Sequence, residues 1–355
     1  MKKQICGIQQ LGIGVPDVAQ AWKWYYDNFG YKIRIVDADG VAERMLPYTG
    51  GKPQPRRSVI ALNIRGGGGF EIWQPKGRAL NHFDGEVRLG DLGILAGKIK
   101  ARDVDAVHAG FTSRKLDVLT PVTVSPCGRK SFYMKDLYGN LFQVVEDGYV
   151  FGDDRSLLTG GADGAVIGVS DMDKSVAFYS KLLDYDIVAM DKTAVFEDLK
   201  GVPGGERELR RVVLRRSKPI EGPLSPVLGT SCLELVQAVQ GGGRKLYEGR
   251  YWGDPGFIHL CFDIRGMAAI KEQTEALGHP FVCDSGEDFS MGDTDGHFTY
   301  VEDPDGTLIE FVETFKVPIF KKLGIGINLK DHPSDKPLRI LKLLKYLKVK
   351  KEKIV

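Results

Sequence analysis

One pattern repeats four times along this 355-residue chain and leaves little choice of architecture. Each copy reads strand, helix, then further strands, the last with a polar residue inside an apolar run. The clearest copy ends in HFTYVEDPDGTLIEFVET, His297 to Thr314. Aromatic and β-branched residues from His297 to Glu302 read as a strand. Asp303-Pro304-Asp305-Gly306 reads as a tight turn, Pro setting φ and Gly free to take φ > 0. Thr307 to Glu313 resumes strand composition, with Glu310 flanked by Ile309 and Phe311. A buried carboxylate calls for a cation, a donor or a metal. A weaker copy, Tyr133 to Asp147, carries Gln143 where Glu310 stands.

The first module spans about Cys6 to Pro75. A strand enters a helix at the N-cap Asp17, and Val18, Trp22, Tyr25 and Tyr26 follow at helical spacing. Its last strand, GFEIWQP, holds Glu71. The second, about Leu89 to Gly148, has its helix after Asp103 and closes on Gln143. The third opens GAVIGVSDMDKSVAFYSKLL, with Asp171 as cap, and ends at CLELVQAV with Glu234 inside. The fourth opens GFIHLCFDIR, with His259 in the strand, and ends on Glu310. The polar, Gly-rich stretch Val150 to Gly164 reads as an interdomain linker, and Gly66 to Gly69 as a flexible hairpin turn. The loops near Gly201–Gly205 and Gly241–Gly256 exceed what a hairpin needs, as substrate-covering loops do.

Apolar content of 43% and charged content of 27% suit a globular protein of two domains. Five scattered cysteines, odd in number and never in CxxC spacing, argue against a disulfide framework or thiolate zinc site and fit a reducing cytoplasm. No signal peptide or membrane span is visible. Phe315 to Val355 carries 12 Lys/Arg and 3 Asp/Glu, so +9, which leaves −7 for the rest of a chain whose net charge is +2. PLRILKLLKYLKVKKEK can form a helix with Leu338, Leu341, Leu344 or Tyr346, and Leu347 on one face and lysines opposite. Packing on the body is the first reading of that face; contact with a membrane surface or an anionic partner is the second. No basic patch with interleaved aromatics points to nucleic acid.

Through GVPDVAQAWKWYYDNFGYKI, GVSDMDKSVAFYSKLLDYDIV and YVEDPDGTLIEFVE, residues 6 to 314 resemble the vicinal oxygen chelate superfamily of glyoxalases, bleomycin resistance proteins and extradiol dioxygenases. The resemblance implies an α+β fold of four βαβββ modules paired into two glyoxalase-like half-barrel domains, followed by a basic helical tail. The first domain would be 1–150 (modules 6–75 and 89–148), the second 164–314 (modules 164–239 and 256–314), and the tail 315–355. It also implies a divalent metal held by residues of the first and last strands of each module. Counting seven positions back from each helix cap gives Gln10, Ala96, Gly164 and His259; the last strands give Glu71, Gln143, Glu234 and Glu310. The second domain would thus bind iron, zinc, manganese or nickel through Glu234, His259 and Glu310. The first, with Gln10, Glu71 and Gln143, would be degenerate.

The resemblance then implies a metal-dependent lyase or isomerase acting on a small carbonyl substrate. Glu310 or Glu234 would be the base beside an enediolate-like intermediate. Tyr300 is a candidate catalytic residue by likeness to a Tyr of extradiol dioxygenases, although packing is the preferred explanation of an aromatic there. The alternatives are an Fe(II) extradiol-type dioxygenase and a non-catalytic binding protein of the bleomycin-resistance type. A homodimer is compatible with any of them.

Overall fold

The computed structural model describes residues 2–154, 156–291, 294–320, 325–330, 332–333 and 336–355. Module one comprises β1 (Gln4–Gly14), α1 (Val18–Asn28), β2 (Ile33–Ala42), β3 (Gln54–Leu62) and β4 (Gly69–Pro75). Module two comprises β5 (Gly93–Ala101), α2 (Val104–Ser113), β6 (Thr123–Val124), β7 (Lys130–Lys135) and β8 (Leu141–Glu146). Module three has β9 (Thr159–Gly168), α3 (Met172–Leu183), β10 (Ile187–Ala194), β11 (Leu209–Arg215), a short α4 (Ser225–Leu228) and β12 (Cys232–Ala238). Module four has β13 (Gly256–Arg265), α5 (Met267–Ala276), β14 (Cys283–Asp284), β15 (Phe289–Met291), β16 (Thr294–Glu302) and β17 (Leu308–Phe320). In the tail, β18 (Ile325–Asn328) pairs with the end of β17.

The helices start where oxygen acceptors meet their unpaired N–H groups. Asp17 accepts from the N–H of Ala19 and Gln20, Asp103 from Ala106, and Asp171 from Lys174. Gly266 has no side chain to do this. There the Glu313 carboxylate, from β17, accepts from the N–H of Gly266 and Met267 at 3.1 Å each.

Two curved sheets form, as the module pattern predicts, but their composition corrects the expected domains 1–150 and 164–314. The first sheet runs β14-β16-β17-β13-β1-β4-β3-β2, with β15 and β18 added at its side, and so joins modules one and four. The second runs β10-β11-β12-β9-β5-β8-β7-β6 and joins modules two and three. At the centre of each, two first strands lie antiparallel: β1 on β13 from Gln4↔Arg265 to Gly14↔Gly256, and β5 on β9. Such pairing is set by long-range hydrogen bonding, for which a local sequence carries no signal.

Sequence neighbours meet differently, through helices and turns. Tyr25 Oη of α1 donates to Asp136 Oδ2 in the turn of module two at 2.6 Å, and Tyr179 Oη of α3 donates to Asp303 Oδ2 in the turn of module four at 2.8 Å. The other oxygen of each Asp accepts backbone N–H groups of its own turn: Tyr138 and Asn140 for Asp136, Asp305 and Thr307 for Asp303. One apolar core draws on all four modules, including Trp22, Phe111, Tyr179 and Phe311. Tyr179→Phe removes the donor to a buried carboxylate and is expected to destabilise the fold by roughly 1–3 kcal/mol. An unchanged urea midpoint would refute this.

Two expected loops prove to be structural. The run Gly66–Gly69 is where the two sheets cross. Gly68 N–H donates to Ala162 O at 2.9 Å, Gly161 N–H to Gly66 O at 2.7 Å, and a Cβ on Gly67 would meet Gly161 backbone at 2.7 Å. Close approach, rather than flexibility, selects glycine there. The expected linker is cut short by β9, which begins at Thr159. In the tail, the expected helix is a 3-10 helix over Arg339–Leu347. Leu338, Leu341 and Leu344, buried at every third position, fit its three-residue turn. They pack on Ile33, Ile35 and Val36 of β2. Among the described residues no helix is long and apolar enough to cross a membrane.

Candidate metal centre

The site grows out of the central strand pair of the first sheet. Gly12 on β1 lies opposite Glu71 in the parallel ladder with β4 and opposite His259 in the antiparallel ladder with β13. A Cβ at Gly12 would sit 2.4 Å from His259 Cε1. Glycine therefore leaves the space the imidazole fills. Gln10 lies two residues earlier on β1, and Glu310 reaches in from β17, where it is paired with Cys261 of β13.

Four side chains converge. His259 Nε2 lies 3.1 Å from Glu310 Oε2 and 3.3 Å from Glu71 Oε2. Gln10 Nε2 points at the same two oxygens, from 3.3 Å at Glu71 and 3.5 Å at Glu310. One ligand atom each from Glu71, His259 and Glu310 falls within 4.8 Å of the others. All four residues are buried, His259 completely. Yet His259 Nε2 and Gln10 Oε1 have no hydrogen-bond partner of good geometry. Burial pulls the imidazole pKa down, but the Glu310 and Glu71 carboxylates outweigh it and hold it up, at about 9. Burial likewise pushes Glu310 up, and His259, Tyr300 and Cys261 hold it below the usual value. The two carboxylates thus favour a positive charge on the imidazole. An orphaned imidazole nitrogen, two carboxylates and an amide that can present its oxygen by a simple flip suit a divalent ion with borderline preferences. Tyr300, opposite Glu310 on β16, places its Oη 3.5 Å from His259 Nδ1. A second contact of this kind orients a ligating histidine.

Of the three expected ligands, the structure brings two together and places the third elsewhere. His259 and Glu310 come together with Glu71 and Gln10, residues assigned to the degenerate domain. Glu234 lies in the other sheet. It is bound there by Lys98 Nζ at 2.7 Å and by Arg211 Nη2 at 2.6 Å and Nε at 2.9 Å. Arg211 also holds Asp198, and Lys98 Nζ donates to Gln143 Oε1 at 2.5 Å. Burial raises the Glu234 pKa, but Lys98 and Arg211 dominate and hold it at about 2. Ala96 and Gly164 leave the second sheet without two ligand positions, and an internal ammonium occupies the gap. Glu234 is therefore neither a ligand nor a base at this centre. Lys98, the residue that sequence reasoning missed, was detectable as a charged residue inside the apolar strand GILAGKIKA.

Gln10, Glu71 and Glu310 of this centre line a cavity of about 450 Å³, a size that suits a small molecule. Its walls are mainly apolar, with Trp73, Trp252 and Tyr300 beside the carboxylates and Leu341 and Leu344 of the tail across from them. Trp252 comes from the long loop near Gly241–Gly256, and its ring stacks over His259 at 6.4 Å. The other long loop, near Gly201–Gly205, lies against module two, where Pro203 O accepts from Leu89 N–H.

On one curved sheet of two βαβββ modules, a Gln, a His and two Glu thus gather into a group that could hold a metal ion. Residues 161–311 match the Glyoxalase/Bleomycin resistance protein/Dioxygenase superfamily, and the chain carries a domain of that superfamily. Among solved structures, glyoxalase I from Zea mays aligns with a TM-score of 0.54 at 15% identity, over 88% of this chain and 92% of that one. A Bacillus subtilis protein classed as a dioxygenase aligns with a TM-score of 0.53 at 13% identity, over 88% and 86%. At these identities the likeness establishes the fold. A comparison with curated protein sequences finds no significant match.

Proposed function

We propose that the protein is a metal-dependent lyase or isomerase that moves a proton at a carbon next to a carbonyl group. The observation that carries this is the convergence of Gln10, Glu71, His259 and Glu310, of which Gln10, Glu71 and Glu310 line a largely apolar cavity while His259 is fully buried. A bound divalent ion would polarise the substrate's carbonyl oxygen and acidify the adjacent C–H bond. Gln10, Glu71, His259 and Glu310 would hold the ion. Either carboxylate can exchange holding for proton abstraction, since the other remains. Glu310 suits the base, because Tyr300 stands opposite it and burial keeps that phenol protonated, a donor throughout. Trp73 and Trp252 exclude water from the reacting carbon.

An Fe(II) oxygenase fits less well. That chemistry favours two histidines and one carboxylate on a face, whereas His259 is the one histidine of this cluster. The test is elemental analysis of the purified protein, followed by incubation of 2-hydroxyketones and 2-oxoaldehyde adducts in D2O. About one metal per chain and deuterium uptake beside the carbonyl, lost in Glu310→Gln, are expected. Metal-replete protein that exchanges no proton but consumes oxygen with catechols would establish the dioxygenase reading instead. Metal-free protein that still binds ligands would establish the non-catalytic one.

A further inference from the structure

The cavity has a second charged group, and among the described residues no carboxylate forms an ion pair with it. Arg56, on β3, lines the cavity and is 8% exposed. Its Nη1 donates to Ala38 O at 2.9 Å, and its guanidinium carbon lies 5.1 Å from the Trp73 ring centroid. Its Nε has no hydrogen-bond partner. Among the described residues no carboxylate comes within ion-pair distance; Glu71 and Asp39 act on it only from farther away. The contrast with the other deeply buried cations is sharp. Lys98 has Glu234, Lys100 has Asp163, and Arg211 has both Asp198 and Glu234.

A buried, unpaired charge loses hydration that one carbonyl does not return. A cation–π contact with Trp73 offsets only part of that. What remains is met when a ligand supplies the anion. Position agrees with this. Ile60 of β3 pairs with Glu71, and Arg56 lies four residues further along the same face. That places its backbone about 13 Å from the metal centre's, at the usual rise of a strand. Between the two ends the walls are apolar, with Trp73 and Ile60 on the sheet and Leu341 and Leu344 across from them. Of the acidic wall residues beyond the metal centre, Glu43 and Asp288 are exposed and Asp295 is half-buried; none is within ion-pair distance of Arg56.

Resting on the metal-centre reading above, we propose that the substrate is an elongated apolar carbonyl compound whose far end carries a carboxylate, received by Arg56. The planar guanidinium matches a carboxylate in a way a point charge does not. The tail's Leu341 and Leu344 then set the apolar body that fits between the two polar ends.

The test separates the two ends. On metal-stripped protein, calorimetry with octanoate and octanamide probes Arg56 alone. Octanoate is expected to bind at least about tenfold tighter than octanamide, as a charge-assisted bond requires. Arg56→Gln should erase that preference while leaving octanamide affinity unchanged, and Arg56→Lys should restore part of it. Equal affinities in the native protein, or an equal loss of both ligands in Arg56→Gln, would overturn the proposal, the latter because it marks a residue that merely fills space. On metal-loaded protein, octanohydroxamate is compared with the monohydroxamate of octanedioic acid. The terminal carboxylate should again add about tenfold, through Arg56. If the hydroxamates gain nothing from added metal while the octanoate preference persists, the metal reading fails and the Arg56 site stands.

Discussion

His259→Ala is expected to leave the protein folded and without its metal. The imidazole supplies the nitrogen donor of the cluster, from a fully buried position between two carboxylates. Outer contacts of a metal site are worth about 10–100-fold in affinity, so loss of a direct ligand should exceed roughly 100-fold. Metal content should fall from about one per chain to a small fraction, and proton exchange beside a carbonyl should fall with it. Glu71 and Glu310 would then face each other without His259 between them, so the variant should regain cation binding only at high metal concentration. A His259→Ala protein that retains full metal after dialysis would show that the ion sits elsewhere.

Glu234→Gln should do the reverse. Metal content is expected to stay unchanged while stability falls by about 3–5 kcal/mol, the usual consequence of leaving buried cations unpaired. Lys98 and Arg211 both lean on this carboxylate, and all three are nearly inaccessible. The substitution keeps shape and removes charge, so urea unfolding reads electrostatics rather than a cavity. The pH dependence has a definite sign. Glu234 is held at about 2 in the folded chain, below its value of about 4.3 when unfolded. Its contribution is therefore fully present above the unfolded value and is lost as pH falls through about 2. The native protein should lose stability across that acid window, and Glu234→Gln should show a shallower loss there. Unchanged stability together with depleted metal would restore Glu234 to the site and refute the separation of the two clusters.

These two residues mark how far the sequence could be read. Glu234 and Glu310 look alike locally: each is a carboxylate inside an apolar last strand. One faces a histidine and a second carboxylate, the other two cations in a salt-bridge cluster, because of partners on strands far away in the chain. A signal was available in the completeness of the set. Gln10, Glu71, His259 and Glu310 fill every ligand position when modules one and four combine, whereas Ala96 and Gly164 leave modules two and three incomplete. Lys98 would have confirmed it, as a charge that answers Glu234 and Gln143.

The sequence by itself determined the four modules, the Asp caps that start α1, α2 and α3, and the DPDG turn. Those follow from short-range physics: side-chain period, capping and turn geometry act within a few residues. Tertiary structure alone decided that β1 pairs with β13 and β5 with β9, and hence that Glu71 rather than Glu234 stands beside His259. Any first strand of such a module offers an equivalent hydrogen-bonding edge. The choice among them is made by the packing of the whole core, which no local stretch encodes.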